Sequence, residues 1–241
     1  MDPAAEISAE LPLEIYPLPG FHDPFSAISH LVGAIVFLVL GLRLLQRGRG
    51  DRGRLIFLGI YAFANVFLFT MSGVYHQMER HGVARQVMAR LDHGAIFILI
   101  ASTFTPVHGI LFHGWWRWGP LAVMWSATIT AITLKTIFFD DLAEWLSLSL
   151  YLVLGWVGLI SGTLVARRHG FRFVQPLLWG GIAYSIGAVF EFLHWFQVIP
   201  GVLHYHEIFH LLVLAGAYLH WSFTWQFATG EVKKTPRARA A

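Results

Sequence analysis

Seven apolar stretches, each about 20 residues long, constrain the fold of this chain more than any other feature. About 20 apolar residues is the length that an α-helix needs to cross the hydrocarbon core of a bilayer. The stretches are continuous and do not alternate with polar residues, which indicates helices rather than the strands of a membrane barrel. We therefore predict an all-α polytopic membrane protein, a seven-transmembrane-helix bundle with spans near residues 25–45, 55–76, 91–112, 116–138, 145–166, 175–197 and 207–228.

The composition agrees with a chain that is embedded in lipid. Of the 241 residues, 56% are hydrophobic and only 13% are charged, whereas soluble domains carry about 25% charged residues. A soluble enzyme, a nucleic-acid binder and a disordered chain are therefore excluded. The formal net charge of +3 does not indicate DNA binding, because the basic residues lie between the apolar spans, where they act as topology signals.

Cysteine usage limits the chemistry that the chain can carry. The sequence contains no cysteine, which excludes disulfides, thiolate zinc sites, iron–sulfur clusters and cysteine nucleophiles. A metal would have to be held by histidine and carboxylate side chains. The 13 histidines are many for a chain that lies mostly in lipid.

The chain divides into three predicted segments. Residues 1–24 are acidic, contain proline and lack Lys and Arg, and we interpret them as an extramembrane arm rather than a signal peptide. Residues 25–228 form the seven-helix transmembrane domain, and residues 229–241 form a basic C-terminal tail. Short connections between the spans predict that consecutive helices are antiparallel neighbours.

The distribution of basic residues predicts the orientation of the bundle. Four of the 17 Lys and Arg residues lie on the N-terminal side of the membrane, and they are Arg80, Arg85, Arg90 and Lys135. The remaining thirteen lie on the opposite side. Because cytoplasmic loops are enriched in Lys and Arg, we predict a multi-pass protein of the cell membrane with a cytoplasmic C-terminus.

Polar side chains gather at one end of three predicted spans. Ser72 and His76 lie four residues apart near the end of span two and share a helix face. Asp92 begins span three, which is antiparallel to span two, so it lies at the same depth. His206 and His210 share a face at the start of span seven, which runs in the same direction as span three. Three histidines and one carboxylate are therefore expected together, just inside one interface.

This set of ligands favours zinc, because neutral imidazoles and an oxygen ligand suit that metal, and three histidines plus water form a catalytic arrangement. Other interpretations remain open at this point. His76 could be an interfacial histidine with a hydrated tip, and Asp92 could be the N-cap of span three. His206 and His210 could hydrogen-bond between helices as packing contacts. A haem held by two histidines is a further option, although it would leave Asp92 without a role.

Several other polar residues are weaker candidates. His30 lies one turn inside span one on the same side and could support a ligand. Glu191 and His194 lie three residues apart on span six, a spacing that predicts a pair with each other. His93 points about 100° away from Asp92 on the helix, which argues against a ligand role. His220 follows His210 by ten residues, roughly 15 Å deeper, and cannot share the site.

Six short segments together resemble the hemolysin III family, which belongs with the progestin and adipoQ receptors in a larger group of membrane hydrolases that includes alkaline ceramidases. The resemblance covers about residues 22–228. The segments that carry it are Ile28–Ala34, Ser72–His76, Leu91–His93, Ile100–Pro106, His206–His210 and Val213–Gly216.

The resemblance implies a seven-helix bundle with zinc held by His76, His206 and His210. It also implies that Asp92 contacts the metal through a bound water, with Ser72 close by. The adiponectin-receptor relatives are described with a cytoplasmic N-terminus, whereas the count of basic residues in this chain predicts an N-terminus outside the cell.

Three functions fit the sequence. The first is a metal-dependent intramembrane hydrolase of a ceramide-like lipid amide or ester, with Asp92 and Ser72 as catalytic residues, zinc as cofactor and membrane lipids as partners. The second is a receptor or lipid sensor in which zinc only joins helices. The third is a pore-forming cytolysin, which needs a polar path across the membrane. Spans four and five offer only Lys135 and small hydroxyls for such a path.

Overall fold

The computed structural model describes residues 15–79, 82–194 and 197–232. Most of the predicted N-terminal arm and of the basic tail, together with Arg80, lies outside the described residues. Within them the chain forms helices joined by short connections and a single small hairpin. The elements are α1 (Pro24–Arg47), α2 (Arg52–Gln77), α3 (Val83–Leu111), α4 (Trp115–Ile137), α5 (Glu144–Trp156), α6 (Gly158–His169), α7 (Phe171–Leu193), β1 (Gln197–Ile199), β2 (Leu203–His204) and α8 (Tyr205–Trp225).

Seven helical segments of the described chain are long and apolar enough to cross a membrane, which confirms the predicted all-α seven-helix architecture. Helices α5 and α6 together form the fifth of these segments, Trp145–His169. The helices α1 to α4 pack against their neighbours in sequence, and α7 packs against α8. Helix α8 also contacts α1 and α3, which brings the last span beside the first and the third.

Helix α3 is longer than the sequence predicts. It begins at Val83, several residues before the apolar run, because residues 83–90 are mostly good helix formers that are too polar for a hydropathy signal. Asp92 therefore lies inside the helix, and Gly82 is the N-cap. The N-cap interpretation of Asp92 is wrong. Pro106 predicts a kink or a broken turn, but α3 is not broken there and continues to Leu111.

Two other boundaries differ from the prediction. The fifth span is interrupted at Val157, between Gly155 and Gly158, and glycine lowers the stability of a helix interior. The sixth span ends at Leu193 rather than at residue 197, because His194 takes a left-handed conformation with φ of 54°. The chain then forms the β1–β2 hairpin, which leads directly into α8.

A close approach of α1 to α2 fixes the end of α2 that carries the candidate histidine. A Cβ atom on Gly73 would lie 2.7 Å from the Leu31 Cγ atom, closer than real Cβ contacts allow. Only glycine therefore permits this spacing. Small residues at helix interfaces allow such close packing in membranes. His76 follows Gly73 by one helical turn, so this contact holds its backbone against α1.

Candidate metal centre

Three imidazole rings converge where α2 ends and α8 begins. The Nε2 atom of His206 lies 3.3 Å from Nε2 of His76 and 3.0 Å from Nε2 of His210. One ligand nitrogen from each ring lies within 4.8 Å of the other two. His76 and His210 are buried, with 4% and 2% of their surface exposed, and His206 is partly buried. The structure thus brings together the three histidines that the sequence singled out.

The start of α8 is fixed by a capping box, which places His206 and His210 on the inner face. The backbone N–H of His204 donates to Glu207 Oε2 at 2.9 Å, while the His204 side chain accepts from the backbone of Glu207. Ser26 Oγ of α1 donates to Glu207 Oε1 at 3.0 Å. Because these groups are buried, the contacts anchor the first turn of α8 to α1.

Two of the three histidines are oriented by carboxylates. His206 Nδ1 donates to Glu191 of α7, with distances of 2.9 and 3.0 Å to the two carboxylate oxygens. His76 Nδ1 donates to Asp23 Oδ2 at 3.1 Å. An ionised carboxylate only accepts hydrogen bonds, so both Nδ1 atoms carry a proton, and Nε2 is the nitrogen that each neutral ring can offer to a metal. This carboxylate–histidine arrangement is typical of metal sites.

Asp23 precedes α1 and lies outside the membrane-spanning segments. Arg85 Nη2 donates to Asp23 Oδ2 at 3.2 Å, from the first turn of α3. Burial alone would raise the pKa of this carboxyl, but the hydrogen bonds from His76 and Arg85 outweigh burial and lower the pKa of Asp23 from 3.8 to about 2. Asp23 therefore stays ionised at neutral and mildly acidic pH, as its role in orienting His76 requires.

His210 is held by contacts of a different kind. Its ring stacks at a tilt against His30 of α1, with the ring centroids 4.0 Å apart. His30 Nε2 lies 3.3 Å from the backbone oxygen of His210 and donates to it. His30 thus contacts and supports His210, a candidate metal ligand, as its place on span one predicts. Glu191 lies within electrostatic range of His194, as their spacing predicts, and its carboxylate also accepts from His206.

A metal ion fits the three nitrogens. Metal–imidazole bonds of about 2.0–2.1 Å in a tetrahedral site place the nitrogens about 3.3 Å apart, close to the two separations of 3.3 and 3.0 Å that involve His206 Nε2. The donor set is three neutral imidazoles without thiolate, which is a common set for zinc and other first-row divalent metals.

Asp92 lies beside this centre but outside the group of converging ligand atoms. Its carboxylate interacts with the hydroxyl of Ser72, and it lies within electrostatic range of His206. Ser72 is buried on α2, one turn before His76. The structure thus places Asp92 and Ser72 at the edge of the site. Direct ligation by Asp92 and the catalytic roles of both residues stay predictions.

A cavity of about 490 Å³ lies among α3, α5, α6, α7 and α8, and none of the three histidines lines it. Its wall is mainly apolar, and Phe209 lines it at the end near the metal centre. The Phe209 ring meets the His210 ring edge-on, with the centroids 5.8 Å apart. Tyr151 also lines the cavity and lies within electrostatic range of Asp92. The volume falls in the range of about 300–1,000 Å³ that is usual for small-molecule sites.

The comparison with known proteins decides the family. The profile described as Haemolysin-III related matches residues 21–221. The chain belongs to this family. This confirms the resemblance to hemolysin III proteins that the six sequence segments carry, and the match covers all three histidines and Asp92.

Individual relatives agree with the family. Hemolysin-3 of Bacillus cereus is 32% identical over 197 residues, which cover 80% of this chain and 85% of that protein. The monocyte to macrophage differentiation factor of Homo sapiens is 25% identical over 201 residues, covering 80% of this chain and 79% of the relative. The adiponectin receptor protein of Drosophila melanogaster is 24% identical over 242 residues, but these cover only 53% of its length.

The carboxylate behind His206 gives a first testable expectation. In Glu191→Gln the amide holds the His206 ring less strongly and no longer increases its basicity, so affinity for added zinc should fall about 10- to 100-fold. Competition of the purified protein with a calibrated chelator measures this affinity. Glu231→Gln is the matched control, because Glu231 is exposed beyond α8 at the opposite end of the bundle. Equal affinities for the two variants would contradict the role of Glu191.

Proposed function

We propose that this haemolysin-III related protein is a zinc-dependent intramembrane hydrolase of ceramide-like lipid amides or esters. The observation that carries the proposal is the convergence of three histidine nitrogens beside an apolar cavity, with Asp92 and Ser72 at the edge. The site lies at the ends of membrane-spanning helices, so a lipid headgroup can reach it while the acyl chain stays in an apolar environment.

His76, His206 and His210 would hold the metal. Three protein ligands with a free fourth position are typical of catalytic zinc, whereas structural zinc is usually closed by four protein ligands. Zinc bound in this way lowers the pKa of a water molecule toward about 7 and polarises a carbonyl group. The described residues converge as a group of three, which favours the open arrangement.

Asp92 is suited to proton transfer. Its carboxylate is partly buried and interacts with the Ser72 hydroxyl and, electrostatically, with His206, so it is held near the site. In the proposed reaction Asp92 accepts a proton from water and returns it to the leaving amine. Ser72 orients the carboxylate through their contact.

The cavity supports a lipid as the substrate class. Its apolar wall matches an acyl chain, and Phe209 brings one end of the cavity to the ring of His210. A bound chain would therefore present its carbonyl end to the histidines. Tyr151 lies on the same wall near Asp92 and adds a polar group where the amide would sit.

A receptor or lipid sensor with a structural zinc is the second candidate. Two observations favour it. The three histidines join α2 to α8, so a bound metal would tie two spans together, and one relative bears the name adiponectin receptor protein. Both functions use the same three histidines to bind the metal. They differ because only the enzyme would hydrolyse a lipid.

Substitution of Asp92 tests the enzyme proposal. We expect Asp92→Asn to retain most of its zinc and to lose about 100-fold or more in ceramide hydrolysis, because a general base contributes about 10²- to 10⁴-fold. Asp140→Asn is the control, since the Asp140 side chain is 85% exposed and pairs only with the surface residue Arg90 among the described ion pairs. Unchanged hydrolysis by zinc-loaded Asp92→Asn would remove Asp92 from the mechanism. No hydrolysis by wild type on any tested lipid amide or ester would favour the sensor.

We further propose that the protein resides in the cell membrane with a cytoplasmic C-terminus. The warrant is the excess of Lys and Arg on the side opposite the metal centre. Two reporters are fused after Ala241 in turn. The reporter that is active only in the cytoplasm should be active, and the reporter that is active only in the periplasm should be inactive. The same pair of reporters inserted after Phe112, on the same predicted side, is the control. A periplasm-active fusion at Ala241 would reverse the topology and the compartment that the metal centre faces.

A further inference from the structure

A second polar cluster lies at the other end of the bundle and takes no part in the metal centre. His108 of α3 is fully buried. Its Nδ1 atom lies 2.6 Å from the backbone oxygen of Trp116, and its Nε2 atom lies 2.8 Å from Ser161 Oγ of α6. His108 follows Asp92 by 16 residues, which is about 24 Å along the helix. The two sites are therefore separate.

The hydrogen bonds fix the protonation of this histidine. The carbonyl oxygen of Trp116 can only accept, so Nδ1 of His108 carries the proton and donates it. Nε2 then has a free lone pair and accepts from the hydroxyl of Ser161. Nucleophile, base and orienting group are thus arranged in a row, which is how proteins activate a serine.

Ser161 borders the apolar cavity that Phe209 also lines, and the Phe209 ring contacts the ring of His210. It shares the wall with Gly158 and Gly162, which lack side chains that would cover its hydroxyl. Arg167 lies on the same wall one to two turns further along α6 and adds a cationic group at this end. An acyl chain in the cavity can therefore place a carbonyl group at Ser161.

We propose that Ser161 and His108 form a nucleophile–base pair that takes an acyl group from a lipid acyl ester bound in the cavity. Ser161 Oγ forms a bond to the ester carbonyl carbon as its proton passes to His108 Nε2. The bond from that carbon to the alcohol oxygen then breaks, and His108 returns the proton to the leaving alcohol. The products are O-acyl-Ser161 and the free alcohol, with no change of oxidation state.

A serine-directed probe tests this pair on the full-length protein in detergent. A fluorophosphonate with a long alkyl chain should form an adduct on Ser161, located by peptide mass spectrometry. Ser161→Ala should lose this adduct, and His108→Gln should form it about 100-fold more slowly, because the base is gone. Ser185→Ala is the matched control. Ser185 lines the same cavity, but its hydroxyl donates to the Gly181 carbonyl and accepts from Trp156 Nε1.

The test separates this site from the metal centre. Wild type treated with chelator should still be labelled at Ser161 at the wild-type rate. Failure of the zinc proposal would therefore leave this result intact. A folded wild type without an adduct on Ser161, or a His108→Gln variant labelled as fast as wild type, would overturn the nucleophile–base pair.

The absence of cysteine from the chain provides a second measurement. Ser161→Cys introduces a unique thiol next to His108. His108 should accept the proton of this thiol and so increase the fraction of thiolate. We expect N-ethylmaleimide to modify it about tenfold faster at neutral pH than in the Ser161→Cys, His108→Gln double variant. Both proteins carry the thiol at the same position, so accessibility is matched. Equal rates in the two folded proteins would contradict a base role for His108.

Discussion

Purified wild-type protein is expected to contain about one zinc ion per chain, and the His206→Ala, His210→Ala double variant almost none. The basis is that three nitrogens from α2 and α8 converge to within 4.8 Å, and a single remaining imidazole binds zinc only weakly. Metal analysis after size-exclusion chromatography measures the content. Lipid amide hydrolysis should be lost together with the metal, since the proposed reaction depends on it.

The control for this experiment is His113→Ala. His113 is exposed on the opposite side of the bundle, so its loss should leave the zinc content unchanged. His76→Ala alone should also lose most of the metal, which would show that α2 contributes a ligand. Full retention of zinc in the His206→Ala, His210→Ala variant would end the claim of a metal centre at this site.

The fold could be predicted from the sequence to a large extent, because the bilayer imposes a simple length requirement. A span needs about 20 apolar residues, and seven such runs correspond to the seven membrane-crossing segments of the structure. Hydropathy did not predict where the fifth span is interrupted or where α3 begins. The interruption at Val157 leaves hydropathy unchanged, and the polar first turns of α3 carry no apolar signal.

The histidines of the site follow from local spacing and from helix direction. His206 and His210 lie four residues apart, and the short loops require α2 and α3 to be antiparallel. The carboxylates that orient these rings depend on contacts between distant parts of the chain. Asp23 lies 53 residues before His76, and Glu191 lies 15 residues before His206 across the β1–β2 hairpin. No local pattern links such pairs, although an acidic residue at a helix end on the same side is a signal worth testing.

Removal of the metal is expected to lower the melting temperature of the protein in detergent. A ligand that binds only the folded state stabilises it by about 2.7 kcal/mol at a hundredfold excess over Kd. For a domain of this size such a loss corresponds to roughly 5–10 °C. A chelator should therefore shift the melting transition down, and added zinc should restore it.

The shift reports on whether the metal joins helices, because the histidines that would bind it come from both α2 and α8. In a bilayer, the hydrophobic effect contributes little to the association of apolar helices, because lipid tails are also apolar. Specific contacts between the helices therefore contribute more to the stability of the bundle. His210→Ala should melt low and should not respond to chelator. If chelator removes the zinc from wild type and the transition does not move, the metal is not a structural tie. That result would count against a sensor in which zinc only joins helices, and it would leave the hydrolase as the function that gives the three histidines a purpose.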